Sequence, residues 1–308
     1  MNTVLVTGAK GFVGEHMVNR LLKNGYSVVG VVNNTTKHQL KSDDYCCVQA
    51  DLTDKHQVEA IDFKNIDFVI HLAGLASVGP SFDKPEKYIT TNTVIELNLY
   101  EEAIKQGVRP RFLIVSSANV YDPSNTSPIS EEANTGPNTP YGLSKLYQEE
   151  LAFYYAKRGL ECVIARPFNH IGPGQGEGFI LPDLTKQVVE CEKGLKNSIL
   201  VGDLSTSRDY TDVRDVVIAY EHLMTEGKSN NIYNICSGQP TTGEEILREL
   251  LKLSSVKSKI KKNETFRPSD YPVIYGDNKK IHELTGWHNT YTLGQTISDT
   301  LNYWREVL

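Results

Sequence analysis

Residues 3–14 read TVLVTGAKGFVG: a short apolar run, then Gly8, Gly11 and Gly14, then apolar residues at helical spacing, Met17, Val18, Leu21 and Leu22. No other stretch constrains the fold as strongly. A helix begins with backbone N–H groups that have no partner inside it. A glycine turn leading from a strand straight into a helix therefore offers those donors to phosphate oxygens at close range. Strand, turn and helix in this order open a βαβ unit that binds a dinucleotide. Gly8, Lys10, Gly11, Phe12, Val13 and Gly14 are the residues set against its phosphates.

The pattern then repeats. Apolar runs at 27–32, 46–48, 67–72, 112–115 and 160–165 alternate with helical spacings, two of which predict helices over 93–106 and 141–157. Short, continuous apolar runs suit parallel strands covered on both faces. The expected class is α/β, a Rossmann-type doubly wound parallel sheet with a smaller C-terminal substrate-binding domain. Past residue 165 the alternation breaks at RPFNHIGPGQGEGF, whose glycines and prolines predict an irregular loop. Strands are expected again at 198–201, 231–236 and 273–275, and helices at 182–191, 216–224, 242–253 and 293–304. The division that follows is 1–172 for the cofactor domain, with 212–236 returning to it, and 173–211 with 237–308 for the second domain.

Composition narrows the function classes. A net charge of −6 leaves no basic surface for nucleic acid or an anionic membrane. No apolar run approaches the roughly 20 residues that span a bilayer, and the strand at 4–7 leaves no room for a signal peptide, so the expected location is cytoplasmic. Cys46, Cys47, Cys162, Cys191 and Cys236 are odd in number and contain no CxxC pair, which indicates neither a disulfide framework nor a metal site.

Candidate contacts lie where strands end. Asn33 and Asn34 follow the second strand, at the place where a dinucleotide fold often carries an acid for the ribose hydroxyls of NAD. Without that carboxylate nothing repels a 2′-phosphate, so NADP(H) is favoured over NAD(H). Asp51 and Leu52 could grip an adenine edge, and Asp51 fits equally as the cap of a helix starting near Thr53. Leu72, Ala73 and Gly74 end the fourth strand with small residues that let a cofactor approach. Residues 74–82, GLASVGPSF, read as a polar loop at the same edge, with Ser77 a possible substrate contact.

The chemistry gathers in 115–145. Ser117 follows the fifth strand, and Tyr141 and Lys145 stand one helical turn apart. A phenol is a weak acid at neutral pH, and an adjacent ammonium would pull its pKa toward the working range. An ordinary surface pair has the same spacing. Asn169 and His170 are the polar groups of the glycine-rich loop, His170 fitting either a general base or, more commonly, a structural role. Arg208 and Arg267 have the fork geometry to clamp a diphosphate, although surface arginines are common.

Together TGAKGFVG, the HLAG after the fourth strand, Ser117 with Tyr141 and Lys145, and RPFNHIGPG resemble the extended short-chain dehydrogenase/reductases that act on nucleotide sugars, over essentially the whole chain. NHIGPGQGEGF, RDYTDVRD, NICSG and RPSDYPVIYGDNKKI are most similar to the GDP-4-dehydro-6-deoxy-D-mannose reductases, which make GDP-rhamnose. The resemblance implies that Tyr141 donates a proton to the substrate oxygen, Lys145 binds the nicotinamide ribose and Ser117 hydrogen-bonds the reacting carbonyl. It adds Asn92, Val115, Pro167 and His170 to the cofactor site. Asn119, Asn169, Arg208, Arg267 and Asp270 join Ser77 and Ser117 toward the nucleotide sugar, and the helices near Thr93 and Tyr141 would pair in a homodimer's four-helix bundle. Related 4,6-dehydratases carry a glutamate at the position of Asn119 to remove the C5 proton, a task asparagine cannot perform. Ala118, Asn119 and Asp122 also depart from related reductases and leave a heptose open. Two rivals stand beside this reading: a 4-epimerase that retains NAD, because GLASVGPSF resembles the epimerases' loop, and a non-catalytic cofactor-binding regulator.

Overall fold

A computed structural model describes residues 1–33, 42–256, 259–262 and 271–308. The first half alternates regularly: β1 (Thr3–Thr7), α1 (Phe12–Lys23), β2 (Ser27–Val32), β3 (Tyr45–Gln49), α2 (Lys55–Val58), β4 (Phe68–His71), α3 (Val78–Asp83), α4 (Pro85–Lys105), β5 (Arg111–Val115), α5 (Pro140–Lys157) and β6 (Glu161–Pro167). The second half follows with β7 (Asn169–Ile171), α6 (Ile180–Glu192), β8 (Ser198–Val201), β9 (Ser207–Asp212), α7 (Val213–Glu226), β10 (Ile232–Ile235), β11 (Pro240–Thr242), α8 (Gly243–Leu253), β12 (Lys259–Lys262), β13 (Val273–Ile274), α9 (Lys279–Thr285) and α10 (Leu293–Val307).

Seven strands form one parallel sheet in the order β10-β6-β5-β4-β1-β2-β3. The doubly wound α/β class expected from the sequence is the one observed. Parallel strands need crossover helices, and those helices must cover both faces because the strands are apolar throughout. Met17, Leu21, Val216 and Leu223 of α1 and α7 pack on one face, joined by Ile281 of α9 and by Trp287. Val58, Ile95, Leu99, Ala152 and Tyr155 of α2, α4 and α5 cover the other. Strand order reverses between β1 and β4, so the crevice at their carboxyl ends is where such a sheet takes a ligand.

A second layer has its own core of Leu181, Val188, Ile199, Ile246, Leu250, Ile297 and Leu301, drawn from α6, β8, α8 and α10. Its sheets are small: β7 and β13 flank β9 with β11, and β12 pairs with β8. Capping boxes, Thr242 with Glu245 and Thr292 with Gln295, fix the starts of α8 and α10.

Several expectations are corrected. The helix read as 93–106 begins at Pro85, eight positions earlier, because proline at the first helical position is pre-set for the turn and polar Glu86, Lys87 and Thr90 face water there. The loop 74–82 contains α3, and the glycine-rich loop contains β7. Neither β7 nor β11 has a local pattern; each exists because β9 lies alongside. No helix among the described residues is long and apolar enough to cross a membrane.

Leu99 lies at 0% exposure where α4 meets the sheet. Leu99→Ala is expected to cost about 3 kcal/mol of unfolding free energy in urea, from lost burial and the cavity left behind. An unchanged midpoint would contradict the packing of α4.

Candidate active site

The cradle after β1 is shaped by what it leaves out. Gly8 adopts a left-handed φ of 66°, and a Cβ on it would lie 3.0 Å from the Ala73 nitrogen. A Cβ on Gly14 would lie 2.1 Å from the Gly8 carbonyl oxygen. The turn therefore folds onto the first turn of α1, where Gly11 provides no capping side chain. Thr7 ties the neighbouring strand end to it: its hydroxyl accepts from the N–H of Leu72 (3.1 Å) and Ala73 (3.0 Å). Those two bonds leave its own hydrogen for His71 Nδ1, 2.8 Å away. Burial pushes the His71 imidazole down to about 3, so the ring is neutral in this seam.

Lys10, Phe12 and Val13 sit in the same turn and at the start of α1. His170 stacks on Phe12 with centroids 6.1 Å apart, and the Pro173 carbonyl lies 2.9 Å from His16 Nε2. The loop after β6, whose last residue is Pro167, therefore folds over the cradle. Burial lowers the His170 pKa, which keeps the ring neutral and fits its structural reading.

The polar cluster forms where β5 and β6 meet α5. Ser116 continues β5, its N–H bonded to the Ala165 carbonyl (2.8 Å), and its hydroxyl donates to Glu149 on α5 (2.5 Å). Arg166 of β6 grips the same carboxylate through Nε (2.8 Å) and Nη2 (2.6 Å). Thr139 caps α5 by accepting from the Gly142 N–H (2.9 Å), and Pro140 occupies its first position. That start puts Tyr141 and Lys145 on one face, as their spacing predicts. A Cβ on Gly142 would lie 2.2 Å from the Asn119 carbonyl oxygen, so glycine is needed for the 3-10 turn at Ala118–Val120 to rest on α5.

Within this frame Ser117 lies close enough to the Tyr141 phenol to oppose the rise in its pKa, and its hydroxyl accepts from the Asn119 N–H and from Asn119 Nδ2, both at 3.2 Å. Lys145 Nζ donates to the Val115 carbonyl at 2.8 Å. One expectation is overturned here. Burial raises the Tyr141 pKa, with only Ser117 opposing it, and Lys145 does not pull the phenol down. The ammonium is itself buried and directed at a backbone carbonyl; desolvation lowers it to about 8 against the opposing fields of Glu96 and Glu149.

Asn92 is wholly buried and acts as a clamp. Its Oδ1 accepts from the Leu75 N–H (2.8 Å), and its Nδ2 donates to the Leu75 carbonyl (3.1 Å) and Ser144 Oγ (2.9 Å). Gly74 lies against it, a Cβ there falling 3.1 Å from Asn92 Oδ1. Gly8, Ala73, Gly74, Asn92, Val115, Ser117, Asn119, Tyr141 and Lys145 are thus linked through direct contacts. Ser77 stands just beyond, at the start of α3, without a capping bond from its side chain.

The remaining predicted residues lie apart. Asn33 is exposed at the end of β2, and Asn34 lies outside the described residues. Asp51 accepts from the Thr53 N–H (2.9 Å) and hydroxyl (2.7 Å), closing a turn; the helix expected near Thr53 begins at Lys55 and is capped by Asp54. Leu52 is buried, its carbonyl accepting from Asn98 Nδ2 (2.9 Å). Asn169 is exposed on β7 beside Tyr210 of β9, and Arg208, also on β9, donates to the carbonyls of Ser207 (2.7 Å) and Tyr271 (3.2 Å). Arg267 and Asp270 lie outside the described residues. A cleft of about 890 Å³ near Arg208 is lined by residues that include Val201, Asp203, Leu247, Arg248, Ile260 and Lys262. It shares no residue with the Ser117 cluster, and hydrogen bonding rather than cleft volume marks the site.

Sequence reading passed over Thr7, His71, Glu96, Gln148, Glu149 and Arg166. A signal existed for the helical ones: Glu96 one turn after Asn92, and Gln148 and Glu149 one turn after Lys145, are polar groups on faces that helical periodicity assigns to the core.

The geometry has known counterparts. The GDP-mannose 4,6-dehydratase family model matches residues 5–300. The chain belongs to that family. Family membership makes it an extended short-chain dehydrogenase/reductase. It is 32% identical over 306 residues to GDP-6-deoxy-D-mannose reductase of Pseudomonas aeruginosa, covering 98% of this chain and 96% of that protein. Two solved family structures superpose over nearly the full length. RMD from Pseudomonas aeruginosa complexed with NADPH matches with a TM-score of 0.90 and 30% identity, covering 100% of both chains. A Thermotoga maritima UDP-glucose 4-epimerase with UDP-glucose matches with a TM-score of 0.87 and 29% identity, covering 99% of each.

Arg166→Met would leave Glu149 buried and unpaired. The expected cost is about 3 kcal/mol in a urea titration, the scale for breaking a buried ion pair from one side. A loss within experimental error would show that α5 is held by other contacts.

Proposed function

We propose that this family member is an NAD(P)H-dependent nucleotide-sugar 4-ketoreductase that converts GDP-4-dehydro-6-deoxy-D-mannose to GDP-D-rhamnose. The observation carrying this reading is Ser117 beside the Tyr141 phenol with Lys145 one turn on, at the carboxyl end of β5 and next to the glycine cradle. Gly8, Gly11 and Gly14 fit a cofactor pyrophosphate because they let the turn fold tightly onto the start of α1, whose N–H groups face the phosphates; a Cβ at position 14 would collide with the Gly8 carbonyl. Exposed Asn33 puts no carboxylate at the adenosine ribose, which favours NADP(H). When bound, the cofactor supplies a hydride.

The chain's own groups handle the proton. Burial keeps the Tyr141 phenol protonated, so it is loaded as the acid that protonates the developing alkoxide at C4. Ser117 holds the same oxygen and stabilises its charge. Lys145, oriented by the Val115 carbonyl, is assigned to the nicotinamide ribose, from where its positive field helps to stabilise the developing alkoxide. Asn119 has no basic oxygen for proton abstraction at C5, which argues against a dehydratase. Asn169 and Arg208, with Arg267 and Asp270, are assigned to the nucleotide diphosphate in the C-terminal part, 173–211 and 237–308. Tyr147, Leu151 and Tyr154 make a partly exposed apolar stripe on α5, which supports pairing of α4 and α5 across a homodimer. We assign the enzyme to the cytoplasm.

Mixing the protein with NADPH and GDP-4-dehydro-6-deoxy-D-mannose is expected to give a stoichiometric loss of reduced-nicotinamide absorbance. No loss, together with NAD that co-purifies, would favour a 4-epimerase, for which the same three residues would serve. Tyr141→Phe is expected to lower kcat by about 100-fold or more while leaving NADPH affinity near wild type. Undiminished turnover would remove Tyr141 as the acid. Gly14→Ala is expected to weaken NADPH binding by about tenfold or more, read by cofactor fluorescence, because backbone must move to admit the methyl group.

A further inference from the structure

One buried carboxyl group has no part in these steps. Glu96 is at 0% exposure on α4, one turn after Asn92, whose Nδ2 reaches Ser144 and whose carbonyl accepts from Gln148 Nε2 (3.0 Å). That register sets Glu96 against the stretch of α5 carrying Lys145, Gln148 and Glu149. Glu96 Oε1 accepts from the Tyr100 hydroxyl (2.8 Å), while Glu96 Oε2 and Gln148 Oε1 are both buried without a hydrogen-bond partner. The titratable and charged groups around it are Tyr100 on its own helix, Lys145 and Glu149 on α5, and Cys162 on β6, with His71 beyond Gln148 at the end of β4. Glu149, forked onto Arg166, also holds the Lys145 proton, but Glu96 is the larger of the two opposing charges. Among the described residues no cation is hydrogen-bonded to Glu96.

We infer that Glu96 is a positioning residue for the reaction: its buried carboxylate is the counter-charge that keeps Lys145 an ammonium as pH rises. The inference rests on the reductase reading only in taking Lys145 as the cation that serves the reacting oxygen. Burial pushes Glu96 up to about 8 and Lys145 down to about 8, each opposed by the other's charge. Below that range Glu96 is a neutral acid and Lys145 is charged. As pH rises the pair loses its protons in two linked steps. Ionisation of Glu96 comes with a stronger hold on the Lys145 proton, so the ammonium outlasts the first step. In Glu96→Gln the Tyr100 bond can persist but no carboxylate forms. An ammonium deprived of a nearby negative charge deprotonates at lower pH, so the alkaline limb moves down.

The test is an NMR titration of carbon-13-labelled lysine in the full chain, with the Lys145 resonance assigned by its loss in Lys145→Met. Lys145 in Glu96→Gln is expected to titrate about one pH unit lower than in wild type, and in Glu96→Asp close to wild type. Superimposed wild-type and Glu96→Gln curves would overturn the inference. The alkaline limb of NADPH oxidation should move with the NMR curve, Glu96→Gln being within about twofold of wild type near pH 6 and about tenfold slower above the limb. An equal loss at every pH would mean a packing role and would also overturn it. The NMR arm uses neither cofactor nor sugar, so a failure of the reductase reading leaves its result intact.

Discussion

The buried Glu149 carboxylate takes two hydrogen bonds from Arg166 and one from Ser116, and the placement of α5 against β5 and β6 follows from it. An unpaired carboxylate at that depth would cost several kcal/mol, so Glu149 meets Arg166 and Ser116 together or the seam does not close. Once it closes, the first turn of α5 has one place to go, set by Thr139 as cap and by the contact of Gly142 with the Asn119 carbonyl. Ser117, Tyr141 and Lys145 come into register as a consequence. Their placement depends on an ion pair that hydrogen-bonds none of the three.

Burial is the second consequence of this arrangement. It raises the Tyr141 phenol and lowers the Lys145 ammonium, the reverse of the mutual attraction that their spacing suggests. Desolvation is the largest influence on each, and the lysine directs its proton at the Val115 carbonyl, with Ser117 opposing the rise at the phenol. The resting site therefore holds a neutral acid beside a weakened cation. That state suits proton donation to an oxygen on which charge is only beginning to develop.

The cradle and the hydroxyl cluster meet because one sheet carries both. Thr7 at the end of β1 ties down Leu72 and Ala73 at the end of β4, and Asn92 ties the next segment to Ser144 on α5. Each link is a buried polar group with its partners supplied by a different element, which makes the crevice a rigid seat. The second layer, built around β9, carries Asn169 on β7 and Arg208 on β9, apart from that seat.

Much of this was legible in the chain, and the division follows range. The glycine turn, the apolar strands, the start of α5 near Tyr141 and the Tyr141–Lys145 face are local: steric limits, helical period and capping chemistry act within a few residues, so the order of residues suffices to predict them. The true start of α4 at Pro85, the strands β7 and β11, the turn role of Asp51 and the partners of Glu149 and Glu96 depend on contacts between residues far apart in sequence. A three-residue strand carries no period of its own, and a glutamate on a helix looks the same whether it meets water or an arginine. By itself the sequence determined an α/β Rossmann-like fold and the shared helix face of Tyr141 and Lys145 near Ser117. Which groups are desolvated, and hence which carry charge, was decided only by tertiary packing, because burial is a property of the assembled fold and not of any local stretch.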